Sequence, residues 1–195
     1  MGARRLSLLD QPGSSGYGGR LEPAPRATST SEKETTCVKG DPKVIDLLNE
    51  VLTGELTTIN QYFLHSRMCR NWGYERLGHK IYVESIDEMK HADKLIERIL
   101  FLDGLPNVQK LHKVNIGTSV IEILKNDLAA ELVAVPLLNR SIQTCRDLGD
   151  NGSEDLLTHI LVSEEEHVDW LESQLELVKQ VGDQQYLAQQ IKKDS

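Results

Sequence analysis

Residues 84–102 read ESIDEMKHADKLIERILFL, and residues 163–172 read SEEEHVDWLE. In the first stretch Leu95, Ile99 and Leu102 recur at helical spacing, and their phase runs back through Glu88 and His91. In the second, Glu164 and His167 stand three apart in the phase of Leu157, Ile160, Leu171 and Val178. Side chains at i and i+3 leave a helix on one face, so each Glu-x-x-His pair projects where its helix should be buried. Ionised groups are almost never buried without compensation, so both stretches demand an explanation.

The flanking sequence supplies four long helices. Asp41 and Pro42 match an N-cap and first helical residue, and Val44, Leu48, Val51, Glu55, Ile59 and Tyr62 follow in one phase to about Asn71, before Gly73. A second helix, about 75–102, carries Leu77, Ile81, Glu84, Glu88, His91 and Leu95, and Gly104 and Pro106 end it. Between Gly104 and Thr118 no periodicity is visible. A connection that long predicts a crossover along the bundle, which makes helices two and three parallel. Ser119 and Glu122 have capping-box spacing, and Val120, Leu124, Asp127, Glu131, Leu138 and Ile142 trace a third helix to about Leu148. Pro136 inside it is expected to kink it. A fourth helix spans about 153–181, closed by Gly182, and a short fifth follows over about 184–191. The expected fold is all-α: a four-helix bundle with a long crossover between helices two and three and a short C-terminal helix.

One carboxylate or more interrupts the buried phase of every long helix. Glu55 precedes Glu88 by 33 residues, Glu131 precedes Glu164 by the same 33, and each later glutamate opens a Glu-x-x-His. A single Glu-x-x-His is a weak signal; two, with matching upstream glutamates, write one half-site twice. Four glutamates and two histidines facing one interior balance two divalent cations. Without metal such carboxylates keep protons or repel one another. Oxygen-rich ligation with one imidazole per ion suits iron or manganese better than structural zinc.

Composition narrows the class. The chain has 195 residues, enough for one domain with a substantial core, and a formal net charge of -8, which disfavours nucleic acid and favours cations. With only two Phe and two Trp the core rests on Leu, Ile and Val, which suits helix packing. No apolar run reaches the roughly 18 residues of a membrane helix, so no membrane span is expected. Cys37, Cys69 and Cys145 are isolated and odd in number, which fits neither a disulfide framework nor a thiolate cluster, so a reducing cytoplasm is the expected compartment. Residues 1–37, rich in Gly, Ser, Pro and Thr, read as a disordered extension and 38–195 as the folded domain. Arg4, Arg5, Arg20 and Arg26 hint at a transit peptide, but Asp10 and Glu22 weaken that reading.

The stretches GELTTINQYFLHSRM (54–68), ESIDEMKHADKLIERILFLDGLPN (84–107), DLAAEL (127–132) and SEEEHVDWLE (163–172) closely resemble the bacterioferritins, haem-binding members of the ferritin-like di-iron family. The resemblance covers essentially all of 38–195. It implies a hollow shell of 24 subunits, assembled from two-fold dimers, that oxidises Fe(II) with dioxygen or peroxide and stores Fe(III) mineral. It implies Glu55 and Glu131 as terminal ligands of a di-iron centre, Glu88 and Glu164 as bridges, and His91 and His167 completing the coordination. It further implies Met89 as axial ligand of a haem b shared across the dimer, with Leu56, Ile59, Asn60 and Phe63 in the haem pocket. Haem is then expected to assist iron release, with a ferredoxin as electron donor, and Tyr62 or Trp170 to donate single electrons.

Departures from the family pattern are visible too. Val83 stands where relatives often carry a histidine that serves an inner-surface iron site, although Asp87 remains, and Pro136 has no family justification. Relatives commonly begin Met-Lys-Gly-Asp where this chain reads Val38-Lys39-Gly40-Asp41, so a start at Val38, read from GUG as Met, is expected. A haem-carrying electron-transfer bundle leaves the duplicated ligands unexplained. A non-storage oxidase shares them and is distinguished by the size of the particle.

Overall fold

The computed structural model describes residues 39–191, so the expected boundary at 37/38, the start at Val38 and Cys37 lie outside the described residues. Among the described residues are five helices and no strand: α1 Pro42–Asn71, α2 Glu75–Phe101, α3 Val120–Asp147, α4 Asn151–Val181 and α5 Asp183–Gln190. Four form the bundle, and short α5 packs against α4 and α2. α4 begins at Asn151 rather than Ser153, because the Asp150 side chain caps it by accepting from Ser153 N at 3.0 Å and Ser153 Oγ at 2.8 Å. Arg98 of α2 ion-pairs with the same Asp150 and ties this turn to the neighbouring hairpin.

The order of apolar contacts along each helix gives its direction. One core cluster gathers Val44, Leu48 and Leu52 of α1, Leu95 and Ile99 of α2, Leu138 and Ile142 of α3, and Leu157 and Ile160 of α4. A second gathers Tyr62, Leu77, Ile81, Ile123, Leu124, Leu171 and Val178. α1 and α4 meet the first cluster before the second, α2 and α3 the reverse, so α2 and α3 run parallel, as the crossover requires. Each fully buried Leu or Ile contributes about 1.5–3 kcal/mol, and the two clusters enclose a polar layer at mid-bundle.

The crossover is strapped to α1 by polar side chains. Asn49 Oδ1 accepts from Asn107 N at 2.7 Å, Thr57 Oγ1 from His112 N at 2.9 Å, Gln61 Oε1 from Asn115 N at 3.0 Å, and His65 Nε2 from Gly117 N at 3.0 Å. These anchors carry the chain back roughly 24 Å along the bundle, at 1.5 Å per helical residue. They satisfy amides of a segment that has no secondary structure of its own to do so.

Two helix ends differ in detail from the sequence pattern. α2 ends before Gly104 and Pro106 as expected, with Asp103 left-handed at φ 62°; Gly104 N bonds to Ile99 O at 2.9 Å, and a Cβ there would meet Ile45 Cγ2 at 2.8 Å. Ser119 caps α3 by accepting from Glu122 N at 3.3 Å, but Glu122 bonds back to Thr118 N, at 2.8 Å, one residue before the capping-box position. α3 continues through Pro136, whose missing N–H leaves the Leu132 carbonyl without its usual helical partner.

Candidate metal centre

The polar layer consists of side chains that helical spacing pushes inward. α1 contributes Glu55, α2 Glu88 and His91, α3 Glu131, and α4 Glu164 and His167; all are buried except half-buried His91. They fall into two overlapping groups, Glu55–Glu88–His91–Glu164 and Glu88–Glu131–Glu164–His167, and the candidate ligand atoms of each lie within 4.8 Å of one another. The structure therefore brings all six sequence-predicted residues together, and Glu88 and Glu164 belong to both groups.

The two groups differ in how firmly they are held. His91 Nδ1 faces three carboxylates at nearly equal range: Glu164 at 3.2 Å, Glu88 at 3.3 Å and Glu55 at 3.4 Å. His167 Nδ1 instead contacts Glu131 Oε1 at 2.9 Å, and the Tyr62 hydroxyl donates to the same oxygen. Tyr62 lies edge-on to the His167 ring, centroids 5.4 Å apart, and Trp170 is 6.2 Å from that ring on centroid distance. Glu84, read from its phase alone, is half-buried, with Oε2 4.0 Å from His167 Nδ1.

Protonation follows the geometry. Burial pushes Glu55 and Glu88 upward, and burial with the charges of Glu88 and Glu131 raises Glu164 from 4.5 to about 10. Burial also opposes ionisation of Glu131, but bonds from His167, Glu164 and Tyr62 prevail and hold it below the usual range. For His91 burial disfavours charge, yet contacts with Glu164, Glu55 and Glu88 outweigh it and raise the imidazole to about 12. The cluster is thus short of positive charge and retains protons in its place. Glu55 Oε2 and Glu164 Oε1 are buried without a hydrogen bond and have only the shared contact with His91 Nδ1, at 3.4 and 3.2 Å, a costly condition for carboxylate oxygens. Orphaned oxygens, a surplus of carboxylates and imidazole nitrogens aimed at one centre fit a pair of divalent cations of the iron or manganese type.

Met89 stands apart from the cluster, 51% exposed on α2. Of the residues grouped with it, Phe63 is 46% exposed and Asn60 exposed, while Leu56 and Ile59 are half-buried. Arg67 lies 4.9 Å over the Phe63 ring. Val83 is exposed, and Asp87 pairs with Lys90 at 2.6 Å.

Sequence reasoning missed a second buried cluster. His65 Nδ1 lies 2.8 Å from Asp127 Oδ1, and Gln61 Nε2 donates to the same oxygen at 2.8 Å. Its signal was present as a polar run, Asn49, Thr53, Thr57, Gln61 and His65, at strict four-residue spacing on α1.

A crossover four-helix bundle with a carboxylate–imidazole cluster at its centre defines a ferritin-like protein, and a family model described as a ferritin-like domain matches residues 45–181. Bacterioferritins of Mycobacterium leprae (strain TN) and Mycobacterium tuberculosis (strain CDC 1551 / Oshkosh) are each 49% identical over 152 residues, covering 78% of this chain and 96% of the relative. That of Mycolicibacterium paratuberculosis is 47% identical over the same length. The chain belongs to the bacterioferritin family. No helix among the described residues is long and apolar enough to cross a membrane.

Proposed function

We propose that this chain is an iron-storage subunit that oxidises Fe(II) at the central cluster and passes Fe(III) to a mineral inside a hollow shell. The observation that carries the reading is four buried glutamates from four helices, two with orphaned oxygens, sharing one centre with two imidazoles. Two substrate Fe(II) ions replace the retained protons. Glu55 and Glu131 bind one ion each, Glu88 and Glu164 bridge them, and His91 and His167 complete the two sites. Each Fe(II) gives up one electron; dioxygen accepts two electrons and two protons and leaves as hydrogen peroxide, and peroxide taking two of each leaves as two waters. Tyr62, bonded to Glu131, and Trp170, beside His167, are placed to lend single electrons.

Met89, a thioether left half in water on an outer helical face, is the residue that would hold haem b, one Met from each of two subunits. When bound, the haem supplies a one-electron relay for iron release, with a ferredoxin-type donor. Exposed apolar side chains such as Phe101, Leu105 and Val108 are surfaces that burial between subunits of a 24-subunit shell would cover. The proposed compartment is the cytoplasm, in keeping with Cys69 and Cys145 as free thiols.

The test is stopped-flow Fe(II) oxidation by the metal-free shell, with dioxygen and peroxide consumption recorded, for wild type, Glu131→Ala and His167→Ala. Rapid oxidation of about two Fe(II) per subunit, lost in both variants, is expected. Unchanged rapid oxidation in folded variants overturns the reading.

A further inference from the structure

A cavity of about 370 Å³ lies between α1, α3 and the crossover. Glu55, Glu88, Glu131 and Glu164 line its inner end, and exposed His112, Lys113, Ala129 and Val133 form its rim. We propose that this cavity is the route by which dioxygen reaches the cluster, that Gly54 and Ala134 keep it open, and that Lys113 turns cations away from it. The proposal rests on reading the cluster as the centre of Fe(II) oxidation.

Gly54 sits in the interior of α1. A glycine in a helix interior costs about 1 kcal/mol relative to alanine, and close approach of another element is the usual compensation. Here a Cβ would meet nothing within 4 Å. The space it would fill is part of the cavity that Gly54 lines, and the facing wall on α3 is kept low by Ala130 and Ala134. Small side chains on both walls leave an opening that packing alone does not call for.

The chemistry of the walls selects the traveller. Val51, Val133, Leu137 and Leu138 are apolar, and no carboxylate besides the four at the inner end lines the cavity. Beyond the rim, where His112, Lys113 and Asn115 stand, the polar residues of the wall are Thr57, Thr58 and Gln61, and these are committed. Thr57 donates its hydroxyl to Thr53 O and accepts from His112 N; Thr58 donates to Glu55 O. Gln61 donates to Asp127 and accepts from Asn115 N. A divalent cation entering here would meet the Lys113 ammonium beside His112 and Asn115 at the rim, and between that rim and the four glutamates it would shed water along a wall of Val51, Ala130, Ala134, Leu137 and Leu138 that offers no ligand, a large desolvation cost. Dioxygen is small, neutral and apolar; it meets neither penalty. Glu84, the further carboxylate near His167, is not among the lining residues, so acidic groups that could hand on a cation lie outside this route.

Gly54→Leu and Ala134→Phe fill the cavity from opposite walls and are tested in the assembled full-length protein. Xenon-pressurised crystals report apolar gas in the cavity, anaerobic Co(II) loading followed by its d–d absorption reports cation entry, and oxidation of preloaded Fe(II) at varied dioxygen reports oxidant entry. Expected are xenon density in wild type and not in the variants, unchanged Co(II) loading, and a dioxygen rate constant lower on the order of tenfold, a barrier rise of about 1.4 kcal/mol. Slower Co(II) loading, alone or together with slower dioxygen reaction, overturns the proposal. So do unchanged dioxygen rates in variants with wild-type circular dichroism. A wild-type shell that loads Co(II) but fails to oxidise bound Fe(II) would instead defeat the functional reading, and this proposal with it.

Discussion

Two buried polar clusters lie one helical turn apart on α3, around Asp127 and around Glu131, and they follow opposite rules. Around Asp127 the protein supplies the partners: Gln61 donates, His65 closes the pair, and the far nitrogen of His65 accepts the Gly117 amide at 3.0 Å. Around Glu131 four carboxylates share two imidazoles and a phenol, and oxygens of Glu55 and Glu164 have no hydrogen bond. Both lie in the same core, within the same four helices. A cluster satisfied by its own chain holds the fold, here by pinning the crossover to α1 and α3. A cluster left short of positive charge is unfinished until a guest arrives, and its cost is carried by the apolar layers on either side.

That contrast predicts opposite responses to substitution. Glu164→Gln should lower the Fe(II) oxidation rate by about a hundredfold or more, beyond the range typical of a metal's outer partners, when followed by stopped-flow absorbance. The melting temperature of the metal-free protein should barely move at neutral pH, because Glu164, raised to about 10, is already protonated there. His65→Ala should do the reverse. Removing His65 leaves the buried Asp127 carboxyl and the Gly117 amide each short of a hydrogen-bond partner and is expected to cost about 1–3 kcal/mol in denaturant titrations, while the six residues around Glu131 stay in place. Equal stability losses in the two variants would erase the distinction between the clusters.

The pH dependence separates them further. Glu164 rises from 4.5 to about 10 and His91 from 6.5 to about 12, so between these limits the folded state holds protons that the unfolded chain releases. Stability of the metal-free protein should therefore fall as pH rises from 5 to 9, and Co(II) loading should flatten the slope; calorimetry at matched ionic strength checks both. Metal binding at pH 7 should release about two or more protons per subunit, read by titration calorimetry in buffers of different ionisation enthalpy. The smallest effect lies outside both clusters. Asp103→Gly relieves the left-handed backbone at the end of α2 and should stabilise the fold by about 1 kcal/mol or less, with oxidation unchanged.

The sequence displays the unfinished cluster more plainly than the finished one. Glu55, Glu88, Glu131 and Glu164 stand out because ionisable residues at helical core positions contradict the apolar pattern around them, and the repeated 33-residue interval ties them together. Asn49, Thr57, Gln61 and His65 contradict nothing: neutral polar residues on a helix read as a solvated face until the crossover is known to lie against them. The helix ends were equally opaque where one residue did another's expected work. Asp103 takes a left-handed turn that its residue type does not announce, and Glu122 reaches Thr118 rather than Ser119, because spacing fixes neighbours along a helix but not which amide a side chain reaches.

The cluster around Glu131 should take up two metal ions. Crystals of the full-length protein soaked anaerobically in Fe(II), with anomalous data collected on both sides of the iron absorption edge, test it most directly. Two iron peaks are expected in each chain, roughly 3.5–4 Å apart, with Glu88 and Glu164 between them. No peak at the cluster, or a single peak held by one histidine with Glu55 and Glu131 turned away, would contradict it.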